Sequence, residues 1–155
     1  MNTMILDNNL DLLQTELLPK KFMEEYDIEK SISNVKDFFK KYRRLKYKVM
    51  FGPQLRITTQ YKLVWVDESH RNDSESLDNF IEVNEEYIKI SKQLEYINKT
   101  SLSEEESIFM ICYLLKEYSY YRTREIIGCA QATIDNISRS CFLKLAMGLN
   151  IEVLK

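Results

Sequence analysis

The stretch SYYRTREIIGCAQATIDNISRSCFLKLA, residues 119–146, decides how this 155-residue chain is read. At helical period it is two helices with a break at Gly128. Ser119 stands where a helix takes its N-cap, since its side-chain oxygen can accept from the first orphan N–H groups. Ile127 is the last apolar position of that first helix and is expected to be buried. Gly128 enters a left-handed turn without a Cβ penalty. Ile134, Ile137, Cys141 and Leu145 then form the inner stripe of the second helix. This is the layout of a helix-turn-helix. An ordinary helical hairpin closed by a glycine has the same spacing.

If the second helix enters a major groove, its outward positions are Gln131, Ala132, Asp135, Asn136 and Arg139. Glutamine and asparagine can bond adenine bidentately, and arginine can fork onto guanine or a phosphate. Tyr120, Tyr121, Arg122, Arg124 and Ser138 are the candidate phosphate contacts. Two members are discordant. Asp135 is a carboxylate facing an anionic polymer, and Arg124 occupies a place where such units usually keep a small residue.

Working outward, SLSEEE at residues 101–106 opens the preceding helix, with Ser103 as N-cap and Glu106 completing a capping box. Before it, residues 76–98 carry Phe80, Val83, Tyr87, Ile90, Leu94 and Ile97 at alternating 3–4 spacing, a short heptad seam. That seam is a candidate homodimer contact or an ordinary intrachain face. Residues 67–75 are polar and read as a linker. Residues 54–66 alternate at period 2 and read as an extended β arm, which needs a partner strand. Residues 28–49 form an amphipathic helix, apolar along Ile28, Ile32, Val35, Phe39, Tyr42, Leu45 and Val49, and ended by Gly52 and Pro53. Its other face carries Lys36, Lys40, Lys41, Arg43, Arg44, Lys46 and Lys48, with Tyr42 and Tyr47 interleaved. Residues 4–18 place leucines and isoleucine at mixed 3–4 spacing before Pro19, a short amphipathic helix. The expected organisation is an amphipathic extension (1–25), a basic helix and arm (26–66), a linker (67–75) and a helical domain (76–155) that holds the helix-turn-helix. The fold class is mainly α.

Charge is unevenly spread. The total of −2 hides a net +8 over residues 36–66 beside a net −8 over residues 67–117. The basic block asks for an anionic partner, or for pairing with the acidic one. A phosphate backbone held without sequence reading fits the first option.

Other classes fall away. The longest apolar runs, such as residues 63–66, are far short of the ~20 residues a membrane helix needs. Residues 1–7 lack the basic and apolar regions of a secretory signal. Cys112, Cys129 and Cys141 share no CxxC spacing and read as small buried hydrophobes in a reducing cytoplasm. His70 is the one histidine, so no metal site is expected. The acids sit at helix starts and solvated faces, and no phosphate-binding glycine loop or nucleophile motif is present. The chain does not read as an enzyme, and no cofactor is expected.

The run from residue 101 to 148, with LSEEE at 102–106, the glycine break and the Thr133, Ile134 pair, resembles region 4 of the sigma-70 superfamily. A longer resemblance runs from about residue 28 to residue 147. KKYRRL at 40–45, PQLRITTQY at 53–61 and the sigma-like unit, in that order, look like the ArpU family of phage and prophage late-gene regulators of Gram-positive bacteria. The chain departs from that pattern in the 1–25 extension, at Arg124 and at Asp135 and Asn136. The resemblance implies a cytoplasmic transcriptional regulator that binds double-stranded DNA in a bacterial host. The other reading left open is a protein-interaction module that docks on RNA polymerase or another regulator without reading DNA.

Overall fold

The structure, a computed structural model, describes residues 16–52 and 69–155, the side chains of 69–77 excepted. It is mainly helical: α1 (Lys20–Met23), α2 (Ile28–Phe51), α3 (Ser69–Thr100), α4 (Glu104–Phe109), a π-helical continuation of α4 (Met110–Leu115), α5 (Tyr120–Ile127) and α6 (Gln131–Gly148). Among the described residues the only β pairing is one antiparallel bridge between Tyr26 and Leu154. The expected β arm at 54–66 and residues 4–15 of the expected N-terminal helix lie outside the described residues.

Two expectations are corrected. The 67–75 linker is helical from Ser69 onward, because no glycine or proline interrupts the chain between there and Thr100. Residues 16–18, expected to finish the first amphipathic helix, are not helical, and Pro19 is extended at φ −62°, ψ 144°. Their main chain is bonded to α6 instead.

The chain also divides elsewhere than at that linker. Among the described residues one compact unit holds 16–40 and 93–155, and the other holds 41–52 and 69–92. The two long helices, α2 and α3, each supply residues to both.

The first unit is built on α6. Ile134, Ile137, Cys141, Phe142, Leu143, Leu145 and Ala146 are all buried, as are Val35, Phe39, Leu94, Ile97, Phe109, Met110 and Leu114 of the same unit. Phe109 meets Phe142 edge-on at 5.7 Å, and Tyr113 meets Phe142 and Tyr120 the same way. Edge-to-face rings contribute beyond the area they bury. Gly148 closes α6 against α3, where a Cβ would come within 2.7 Å of Ile97. The C-terminal tail is tied to the start of α2: Asp27 N donates to Val153 O at 2.7 Å, and Val153 N donates to the Ser31 hydroxyl at 3.0 Å.

Beneath α4 lies a polar hub. Ser103 and Glu106 form the capping box: Glu106 N donates to Ser103 Oγ, and Ser103 N donates to Glu106 Oε1. Glu106 has a second role, since it is fully buried and pairs with Lys144 Nζ at 2.6 Å. Its other oxygen accepts from the Ser140 hydroxyl at 2.9 Å. Lys144 also donates to the carbonyl of Glu16, and Ser140 accepts from Leu18 N at 2.8 Å. The hub thus holds residues 16–18 on α6.

In the second unit Tyr42 and Leu45 are buried, so Tyr42 is not part of the cationic face. The Tyr42 ring stacks on Tyr87 at 5.4 Å and its hydroxyl bonds Ser91 at 2.9 Å. Lys41 pairs with Glu86 at 3.3 Å across a solvent-exposed gap. Phe80 closes over Gly52. Part of the seam expected as a homodimer contact or an intrachain face is used within the chain: Phe80 and Tyr87 pack on α2 here, while Leu94 and Ile97 are buried in the first unit. Val83 and Ile90 are half-buried.

Removing one partner of a buried ion pair leaves an uncompensated charge, so Glu106→Gln should cost about 3–5 kcal/mol in urea denaturation. Adding Lys144→Met should recover part of that loss, because the stranded ammonium is then gone. A double variant no more stable than the single one would contradict the hub.

Candidate nucleic-acid interface

Local chemistry positions the two helices of the motif. Ser119 is extended and its hydroxyl accepts from Arg122 N at 3.1 Å, which starts α5. Thr123 is fully buried and returns its hydroxyl to the Ser119 carbonyl at 3.0 Å. Gly128 ends the helix at φ 77°, ψ 38°, and its N–H closes on the Arg124 carbonyl at 2.9 Å. No atom lies within 4 Å of a Cβ built there, so conformation alone favours glycine. Cys129 and Ala130 complete a three-residue turn, and α6 begins at Gln131 without a side-chain cap. Ile127 is half-buried rather than fully enclosed.

The inner stripe of Ile134, Ile137, Cys141 and Leu145 is no more than 2% exposed, which fixes the opposite face of α6 outward. Gln131, Ala132, Thr133, Asn136 and Arg139 are exposed and Asp135 is half-buried. Arg139 borders an open cleft also walled by α1 and the start of α2, including Glu24, Asp27 and Glu29.

Ser138 does not join them. It is buried, four residues beyond Ile134 on the inner side, and is withdrawn as a phosphate contact. Tyr120 is also structural: its ring lies edge-on to Phe109 and Tyr113, and its hydroxyl donates to Asp135 Oδ1 at 2.6 Å. Burial first, then the bond to Asp135 and its charge, push the Tyr120 hydroxyl up to about 12. Tyr121 and Arg122 are exposed. The hydrogen bond to Glu125 is the main cause that raises the Tyr121 hydroxyl above its usual value. The Arg122 guanidinium lies 4.0 Å from the centre of the Tyr118 ring, a cation–π contact.

Arg124 is half-buried and reaches across the turn. Its Nη1 donates to Gln131 Oε1 at 3.0 Å, and Gln131 Nε2 donates to Asp135 Oδ1 at 3.2 Å. The two discordant residues are thus joined through Gln131. The i, i+4 spacing of Gln131 and Asp135 is legible in the sequence. The Arg124 bond crosses a helix break and has no spacing signature.

On α2, Lys36, Lys40, Lys41, Arg44, Lys46 and Lys48 are exposed and Arg43 is half-buried. In the first unit the Lys36 ammonium lies 5.9 Å from the centre of the Phe142 ring. In the second unit Tyr47 and Phe51 stack at 6.2 Å beside Arg44 and Lys48, and are 52% and 77% exposed. The i, i+4 spacing of Tyr47 and Phe51 is the sequence signal that adds Phe51 to this face.

Among the described residues no group of three or more His, Cys, Asp or Glu is placed to hold a metal ion, and no helix is long and apolar enough to cross a membrane. Cys112 and Cys141 are buried and Cys129 is half-buried. Burial drives the Cys141 thiol well above its usual range. The chain matches no family model, no curated protein and no solved structure.

The raised Tyr120 value carries a sign. Protonated Tyr120 is favoured in the folded state, so its contribution is whole below pH ~10 and is lost as pH rises through about 12. Absorbance titration of tyrosinate should show a late-titrating component in the native chain that shrinks by one group in Tyr120→Phe. Identical curves from the two proteins would contradict the assignment.

Proposed function

We propose that this chain is a sequence-specific regulator of transcription that binds double-stranded DNA through α5, the Gly128 turn and α6. The observation that carries the reading is the division of α6. Its inner stripe is sealed into the core, and its first half turns Gln131, Asn136 and Arg139 to solvent directly after a three-residue turn. A helix held this way can enter a major groove with its N-terminal residues against base edges. Its first-turn N–H groups, unclaimed by a side-chain cap, favour a phosphate near Gln131.

In this mechanism Asn136 and Arg139 read bases by hydrogen bonds. Tyr121 and Arg122 hold phosphates beside the groove. The exposed cations of α2 add affinity that is independent of sequence and falls with salt. A single unit of this kind reads few base pairs, so repeated half-sites or help from RNA polymerase completes the specificity. The ArpU-like order of motifs extends the proposal to late genes of a phage or mobile element in a bacterial cytoplasm.

The test is selection of bound duplexes from a random library at about 150 mM salt, where non-specific contacts are weakened. Recovery of a defined motif supports the proposal, whereas a pool without a motif turns the reading toward a module that docks on protein. On the recovered site Arg139→Ala should cost roughly 1–3 kcal/mol and relax one position, while Lys40→Ala should weaken all sequences alike and lower the salt slope by about one. Relaxed specificity from the lysine change, with none from the arginine change, would refute this division of labour.

A further inference from the structure

Both ends of the Gln131 amide are engaged within the chain, and chemistry fixes which end is which. A guanidinium only donates and a carboxylate only accepts, so the amide oxygen faces Arg124 and the nitrogen faces Asp135. Asp135 is held in turn by the Tyr120 hydroxyl, and the Tyr120 ring is seated against Phe109 and Tyr113. The series Arg124, Gln131, Asp135, Tyr120 therefore runs from the surface into the aromatic core. It spans the turn and ties the end of α5 to the first turn of α6.

A side-chain amide has two acceptor sites and two donor hydrogens. Arg124 takes one acceptor site and Asp135 takes one hydrogen. One acceptor and one donor remain, on a residue exposed at the start of α6. In the major groove adenine offers a matching pair, with N6–H to give and N7 to accept. Guanine offers two acceptors, O6 and N7, and would need both amide hydrogens. Asp135 already holds one of them, and the oxygen cannot turn away from Arg124 without breaking that bond.

Resting on the reading of α6 as the helix that meets DNA, we propose that Gln131 is a pre-oriented reader of adenine, held by Arg124 and Asp135 as positioning residues. The arrangement gives both discordant residues a purpose. Arg124 orients the amide oxygen. Asp135 orients the amide nitrogen, and its Oδ1 accepts from both Tyr120 and Gln131. Pre-orientation also removes rotamer freedom from Gln131 before DNA arrives, so less is lost on binding.

The experiment uses the full chain and the duplex recovered by library selection, with each adenine replaced in turn by 7-deaza-adenine, which lacks the N7 acceptor. One adenine position should lose affinity by roughly tenfold or more, since a bidentate contact separates bases by on the order of ten- to a hundredfold. Repeating the selection with Gln131→Ala should erase the preference at that position and leave the others intact. Arg124→Ala releases the amide oxygen and should weaken the adenine preference there without altering the other positions. Unaltered base preferences in Gln131→Ala, or a change confined to a base other than adenine, would overturn the proposal. Uniform weakening of all sequences by Arg124→Ala would make Arg124 a phosphate contact and overturn its positioning role. Absence of any motif for the unaltered chain is a different result and removes the underlying reading as well.

Discussion

Glu106 and Lys144 meet 2.6 Å apart in the interior of the first unit, at 0% and 8% side-chain exposure. Taking two charges out of water costs several kcal/mol per ion unless the pair is close and its remaining hydrogen-bonding capacity is met. Here it is met. Ser103 N and the Ser140 hydroxyl satisfy the carboxylate, and the Glu16 carbonyl accepts from the ammonium. Three parts of the chain are fixed together: the start of α4, the middle of α6 and residues 16–18. An apolar contact would tolerate a small rotation of α6. A pair with directional bonds does not.

That constraint reaches the surface through helical geometry. With Ile134, Ile137, Cys141 and Leu145 turned inward beside that pair, the period of 3.6 residues puts Asn136 and Arg139 outside. The turn before α6 is set by Gly128 and by the Ser119 cap on α5. The surface series from Arg124 to Tyr120 then joins the two helices a second time. Core and surface bonds together leave α6 little freedom to reorient, which is what a helix that reads base edges requires.

Much of this was legible because the rules involved are local. The capping box at Ser103 and Glu106, the cap at Ser119, the left-handed Gly128 and the stripe of Ile134, Ile137, Cys141 and Leu145 follow from spacings of three or four residues. Ser138 could have been set inside by the same arithmetic, four residues after Ile134, but its hydroxyl drew it toward a polar role. The second role of Glu106 was not legible: a capping-box glutamate is ordinarily exposed, and its partner Lys144 lies 38 residues away. Likewise the polar residues 69–75 looked like a linker, although polarity does not end a helix without a breaker. The heptad-like seam gave no sign of its partner, because spacing cannot distinguish a second copy from the Tyr42 ring that covers Tyr87.

The most direct test is amide chemical-shift mapping of the isotope-labelled chain, titrated with duplex DNA at about 150 mM salt. The structure and the proposed function together predict that shifts concentrate in Gln131, Asn136, Arg139 and the turn at Gly128, while Glu106, Ser140 and Lys144 stay unmoved. Shifts confined to residues 41–51, with α6 silent, would contradict α6 as the DNA-reading helix.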